Sequence, residues 1–209
     1  MLTHDVTPAD INLACQKLIT VPDKFEWKTT TSRMWKIGLM QYLTDKPKKR
    51  LLEIGGAQGH TTCVIAPLVS KLVSIDFRPE NCEVIESLGL PNVEALNYDL
   101  YEPEFREAME TREFDLAIID AVHTATCVKY DIESALKCGV KTFVFDDFGA
   151  FEEVRSAVKK WVVSLSKTET PFSIHYIGLP PGTQFGNTSF EALLDWEGII
   201  VDLDVNTGE

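Results

Sequence analysis

Residues 51–62 read Leu51-Leu-Glu-Ile-Gly-Gly-Ala-Gln-Gly-His-Thr-Thr62, a short apolar run that breaks into three closely spaced glycines. Glycines in such a place let the backbone pass close to a ligand where a Cβ would collide. Working outward, the same kind of run recurs at Leu72–Ile75, Val93–Leu96, Leu116–Ile119 and Thr142–Phe145. Most of these runs are near-continuous rather than alternating, which marks strands covered on both faces, as in a parallel sheet. Between them lie helix-like segments at Thr61–Val69, Glu80–Leu88, Glu104–Glu110, Thr126–Leu136 and Phe151–Leu165. The last carries Val154, Val158, Trp161, Val162 and Leu165 at helical spacing. Five βα units in about 115 residues predict an open, doubly wound, Rossmann-like sheet.

The ends depart from this rhythm. Residues 8–19 and 32–43 read as two helices separated by Val21-Pro-Asp23, an N-terminal helical cap over residues 1–45. After Pro171 come two strand-like runs, Phe172–Ile177 and Gly198–Leu203, joined by the turn-rich Leu179-Pro-Pro-Gly-Thr-Gln-Phe-Gly-Asn187. They predict an antiparallel pair at the sheet edge. The expected α/β fold is a seven-stranded, mostly parallel sheet with an antiparallel last strand. At 209 residues the chain suits a single domain, residues 1–209, with its core over 50–209.

Composition narrows the function. Against 20 Lys and Arg stand 32 Asp and Glu, a formal charge of −12, and this opposes a nucleic acid partner, whose phosphates reward basic residues. No window approaches the roughly 18 apolar residues of a membrane span. The N-terminus, MLTHDVTPADINL, lacks the basic and apolar regions of a secretion signal. Cys15, Cys63, Cys82, Cys127 and Cys138 are an odd set without CxxC spacing, which suits a reducing cytoplasm.

In sheets of this class ligands bind outside the carboxyl ends of the strands. The second run ends in Asp76, placed to accept hydrogen bonds from a ribose diol, and the third in Asn97-Tyr98-Asp99. The fourth ends in Asp120-Ala-Val-His123 and the fifth in Asp146-Asp147, so carboxylates should converge on one crevice. Each has a plainer reading: an Asp after a strand can cap a helix, and His123 can cap one beginning near Thr124. His175, in a late strand, reads as structural, and Phe25, Trp27, Trp35, Phe148 and Phe151 as core or as walls of an acceptor pocket. A dinucleotide fingerprint wants G-x-G-x-x-G, but the glycines are 55, 56 and 59, with Ala57 and His60 in the other positions. That weakens a nicotinamide oxidoreductase. Glu53 would also sit beside a pyrophosphate, whereas a carboxylate is better tolerated near a cationic, phosphate-free ligand such as a sulfonium nucleoside.

E-I-G-G-A-Q-G-H-T-T followed by S-I-D resembles motif I and the acidic loop of the class I S-adenosylmethionine-dependent methyltransferases. It is most similar to the E-x-G-x-x-x-G form of the small-molecule O-methyltransferases. Phe114–His123, Val128–Leu136 and Phe143–Asp147 are similar to a subfamily pattern: F-D-hydrophobic-I-D-G-D-H, a helix carrying D-hydrophobic-E, and a strand ending in D-D. Thr30-Thr-Ser32 is similar to the Thr-Ser pair before the first cap helix in many members. The resemblance covers about residues 50–165 and implies methyl transfer to a small-molecule or sugar hydroxyl. Glu53, Gly55, Gly56, Ala57, Gln58, Gly59 and Thr61 would then shape the methionine side of the S-adenosylmethionine site. Asp76, with Phe77 beside it, would hold the ribose hydroxyls, and Asp99 the adenine amino group. Asp120, Asp146 and Asp147 match the positions that bind a divalent cation in metal-dependent members, implying Mg²⁺. Asp120 also borders the cofactor and the candidate base, His123. Ala121 and Val122 depart from the pattern, standing where the subfamily has Gly and Asp. The alternative they raise is a protein that binds S-adenosylmethionine without turnover, as a sensor or partner.

Overall fold

The computed structural model describes residues 5–26, 30–99, 101–102, 109, 112–184 and 192–203. At its centre β1 (Arg50–Ile54) pairs in parallel with β2 (Lys71–Asp76) on one side. On the other side it pairs in parallel with β4 (Leu116–Ile119). The ladder extends outward to β3 (Val93–Asn97) and β5 (Thr142–Phe145). β7 (Gly198–Asp202) runs antiparallel both to β5 and to β6 (Ser173–Ile177), giving the order β3-β2-β1-β4-β5-β7-β6. This is the sheet that the sequence predicts, with β7 inserted inside β6. The reason is burial: all five residues of β7 are buried, whereas β6 exposes His175 and Tyr176. Only the second can be an edge.

Side chains alternate across the sheet. Leu52, Ile54, Val73, Ile75, Phe143 and Phe145 face a core formed with α5 (Ala125–Lys137) and α6 (Glu152–Lys167). Leu51, Leu72, Ile118 and Val144 face the opposite core, built with α1 (Pro8–Thr20), α2 (Arg33–Asp45) and α3 (His60–Ile65). α4 (Pro79–Ser87) follows β2. Hydroxyl caps start three helices: Thr7 in a capping box with Asp10, Ser32 accepting from the Trp35 N–H, and Thr124 accepting from the Cys127 N–H. α3 is shorter than the predicted Thr61–Val69, ending at Ile65 in a 3₁₀ turn, Ala66–Leu68. Pro67 has no N–H to continue the α ladder. The helix expected over 104–110 falls outside the described residues except for Met109, which is buried.

Three strands run outward from β1 to β3 before the chain returns to β4. The ends of β1 and β4 are therefore the switch point, where open α/β sheets leave a crevice.

Candidate functional site

The crevice is framed by the glycine turn. Gly55 has φ +93°, and a Cβ there would lie 2.2 Å from the Asp120 carbonyl oxygen, so the ends of β1 and β4 meet at a distance only glycine permits. Ala57 is also left-handed at φ 45°, and its N–H donates to Asp76 Oδ2 at 3.0 Å. The other oxygen of Asp76 accepts the Arg78 N–H at 2.9 Å. Asp76 thus braces the turn against the β2–α4 loop, a role that its position alone does not announce. Each carboxylate oxygen still has a second lone pair for a ligand. Beneath the turn Glu53 is buried, with Oε2 accepting hydrogen bonds from the Thr62 and Ser74 hydroxyls. Burial outweighs those bonds and pushes its carboxyl up to about 7.

A cleft of about 380 Å³ opens beside this turn, within the size range of small-molecule sites. Gly55, Ala57, Asp76, Phe77, Asp99 and Asp120 all line it, as do Asn81 and Tyr101. Phe77 is exposed, with the Arg78 guanidinium 5.1 Å from its ring centre. Gly56, Gln58 and Thr61, with Glu53, instead border a small adjoining hollow of about 20 Å³. Thr30 and Thr31 of the N-terminal segment close that hollow, and the Lys36 ammonium donates to the Thr30 hydroxyl and the Thr31 carbonyl. Burial, which outweighs attraction by Asp146 and Glu197, lowers Lys36 to about 8. Gly59 lines neither space. It caps α3 at φ 70° and packs against Ile85 and Leu88.

Beyond Asp120 lies a cluster of charge. His123 Nε2 is 3.4 Å from Asp120 Oδ1 and 3.5 Å from Asp147 Oδ2, and its ring stacks on Phe151 with centroids 4.4 Å apart. The helix after His123 is capped by Thr124, so His123 is free of that plainer role. Asp146 and Asp147 are likewise not caps, since the N-cap position of α6 is Phe151 and carries no side-chain cap bond. Asp147 supplies the second carboxylate beside the imidazole that Val122 does not. Burial opposes a charge on His123, but the Asp120 and Asp147 carboxylates outweigh it and raise its pKa. Burial, with the Asp147 charge, raises that of Asp120, and burial raises that of Asp146 further.

Lys24 and Glu197 complete the cluster, and no spacing in the sequence connects them to it. Lys24 Nζ lies 2.7 Å from Asp147 Oδ1, 3.5 Å from Glu197 Oε1 and 3.9 Å from Asp146 Oδ2. Despite its burial, these carboxylates raise the lysine's pKa, so it stays charged. Glu197 is wholly buried and accepts hydrogen bonds from the Ser32 N–H and hydroxyl and from the Leu179 N–H. Of the three carboxylates expected to bind a metal, Asp120 and Asp147 come together with His123, each offering an atom within 4.8 Å of the others. Asp146 is not in that set. Its Oδ2 faces Lys24 and its buried Oδ1 has no hydrogen-bond partner among the described residues. A nitrogen ligand and an ammonium already seated on Asp147 do not fit Mg²⁺, which wants oxygen ligands and several waters. His175 is remote from the crevice, edge-on to Tyr42 at 5.5 Å. Phe148 and Trp35 are core, Phe25 is exposed, and Trp27 lies outside the described residues.

Residues 52–148 match a family model described as a methyltransferase domain. No curated protein matches the chain. Among solved structures, the chain is similar to an O-methyltransferase from Bacillus cereus in complex with SAH, at TM-score 0.61 and 15% identity over 93% of this chain and 90% of that one. It is similar to TomG from Streptomyces achromogenes, an O-methyltransferase involved in tomaymycin synthesis solved with SAM, at 0.59 and 17% over 93% and 89%. The SAH-bound methyltransferase PaMTH1 of Podospora anserina gives 0.57 and 16% over 96% and 89%. These likenesses establish the shared fold. Residues 52–148 are thus similar to a methyltransferase domain, and the chain shares its fold with these S-adenosylmethionine- and S-adenosylhomocysteine-bound O-methyltransferases.

Proposed function

We propose that residues 1–209 act as one unit that methylates a hydroxyl of a small molecule or sugar, in the cytoplasm, with S-adenosylmethionine as donor. The observation that carries this reading is the junction of the 380 Å³ cleft with a carboxylate-flanked histidine at Asp120, on a methyltransferase domain. When bound, S-adenosylmethionine supplies an electrophilic methyl group on its sulfonium. Asp76 and Phe77 would hold the ribose and Asp99 the adenine, while Glu53, Gln58 and Thr61 would border the methionine end. A hydroxyl is a poor nucleophile and needs a base. Nε2 of His123, set between two carboxylates, keeps its proton, so Nδ1 accepts the proton of the acceptor hydroxyl. Asp120 and Asp147 then stabilise the imidazolium that forms. The remaining work is alignment of the hydroxyl for in-line displacement, helped by the N-terminal cap closing through Lys24 and Thr31. The chain's −12 charge favours a small acceptor over nucleic acid, and its five free cysteines suit a reducing compartment.

The test is formation of S-adenosylhomocysteine with a panel of hydroxyl acceptors. On the acceptor that responds, His123→Ala should lower kcat by roughly 10²–10⁴-fold while leaving S-adenosylhomocysteine affinity nearly unchanged. A variant with wild-type turnover removes His123 as base.

A further inference from the structure

We infer that Lys24 is the resident cation of this crevice and that its ammonium excludes a divalent ion from the Asp146–Asp147 strand end. The inference rests on the methyltransferase reading for its consequence, metal-independent transfer, but its observations are independent of the acceptor. Three carboxylates, those of the adjacent Asp146 and Asp147 and of the sequence-distant Glu197, converge on one nitrogen: Asp147 at 2.7 Å, Glu197 at 3.5 Å and Asp146 at 3.9 Å. Carboxylates packed this closely repel unless a cation or protons compensate. Lys24 is nearly enclosed, with 11% of its side chain exposed, so the compensation comes from the protein. Its position is fixed from the neighbouring residue as well, since Asp23 accepts the Arg33 N–H at the start of α2.

The two oxygens of Asp147 show why a metal is unwelcome. Oδ1 holds the ammonium and Oδ2 faces His123 at 3.5 Å. An ion bound to Asp120, His123 and Asp147 would lie one carboxylate's width from the Lys24 charge, and at that range like charges repel strongly where water is scarce. Lys24 is thus a positioning residue. It holds Asp147 beside His123 and fastens the segment between α1 and α2 across the crevice.

The experiment is a Mn²⁺ titration of the full chain without acceptor, read by electron paramagnetic resonance, with S-adenosylhomocysteine binding measured on the same samples. Wild type should leave millimolar Mn²⁺ free. Lys24→Ala should bind Mn²⁺ roughly tenfold or more tighter, because the opposing charge is gone. Adding Asp147→Asn to that variant should abolish the gain, and Lys24→Arg should exclude Mn²⁺ as wild type does. Wild-type Mn²⁺ binding that Asp147→Asn removes would overturn the inference, whether or not the Lys24 variants fold. So would a folded Lys24→Ala that binds Mn²⁺ no better than wild type. Loss of S-adenosylhomocysteine binding in wild type would instead count against the methyltransferase reading, leaving the metal result to stand alone.

Discussion

Replacing Glu53 by Gln should make the protein more stable at alkaline pH, by an amount the structure sets. Glu53 has 2% of its surface exposed and no ion pair among the described residues, and burial lifts its carboxyl from 4.5 to about 7. At 1.36 kcal/mol per pH unit, the gap between those values is about 3 kcal/mol. A group raised on folding lends its stability below its unfolded value and loses it as pH rises through the folded one. The wild type therefore gives up about 3 kcal/mol at this residue between about pH 4.5 and pH 8.5. Gln keeps an acceptor oxygen for the Thr62 and Ser74 hydroxyls but carries no proton to lose. Urea unfolding of both proteins across that range cancels the other titrating groups in the difference. The two should match near pH 4.5, and the variant should be ahead by up to about 3 kcal/mol near pH 8.5. A difference that does not change with pH would refute the reasoning, because Glu53 would then titrate alike folded and unfolded.

Gly55→Ala combines a left-handed φ of +93° with a Cβ 2.2 Å from the Asp120 carbonyl, so it should destabilise more than Gly89→Ala. The latter has φ +63° and nothing within 4 Å, and isolates the conformational cost. Thermal unfolding of the two compares them, and equal losses would mean that the strand ends separate freely. For His123, kcat/KM should rise with pH through a value above the ordinary histidine pKa of about 6.5, since the neutral ring is the base. The stability that charged His123 draws from its carboxylates is fully present below about 6.5 and lost as pH rises through its raised value. His123→Asn should therefore cost more at about pH 6 than at about pH 9, and the reverse order would contradict the cluster's electrostatics.

The sheet was legible because its strands are short apolar runs bounded by glycine and aspartate, a pattern written within a few residues. Asp76, Asp99, Asp120 and His123 could be placed for the same reason: each lies at a strand's carboxyl end or within four residues of it, and parallel strands bring their ends together. Lys24 and Glu197 could not, because what unites them with Asp147 is the closure of the N-terminal segment over the sheet. A lysine in a Pro-Asp loop looks like any solvated lysine until its partners are known. The bracing role of Asp76 was hidden similarly, since it depends on the left-handed turn at Ala57. Asp146 misled in the opposite way. Adjacent aspartates look equivalent in sequence, but Asp147 takes a left-handed conformation, φ 55°, and reaches both His123 and Lys24, whereas Asp146 approaches Lys24 at 3.9 Å and stands outside the His123 group. Gly59 matches the motif yet serves the start of α3 instead of the cleft wall.

Calorimetric titration of the wild-type chain tests whether the cleft beside Gly55 and Asp76 is built for a sulfonium nucleoside. S-adenosylmethionine and S-adenosylhomocysteine should bind at one site, and NAD should give no heat. Asp76→Ala should weaken binding by at least the loss of two charge-assisted bonds, each on the order of 1.5–3 kcal/mol, and also by release of the Ala57 and Arg78 N–H groups that it holds. Tight NAD binding with no response to either sulfur nucleoside would assign the cleft to a dinucleotide instead.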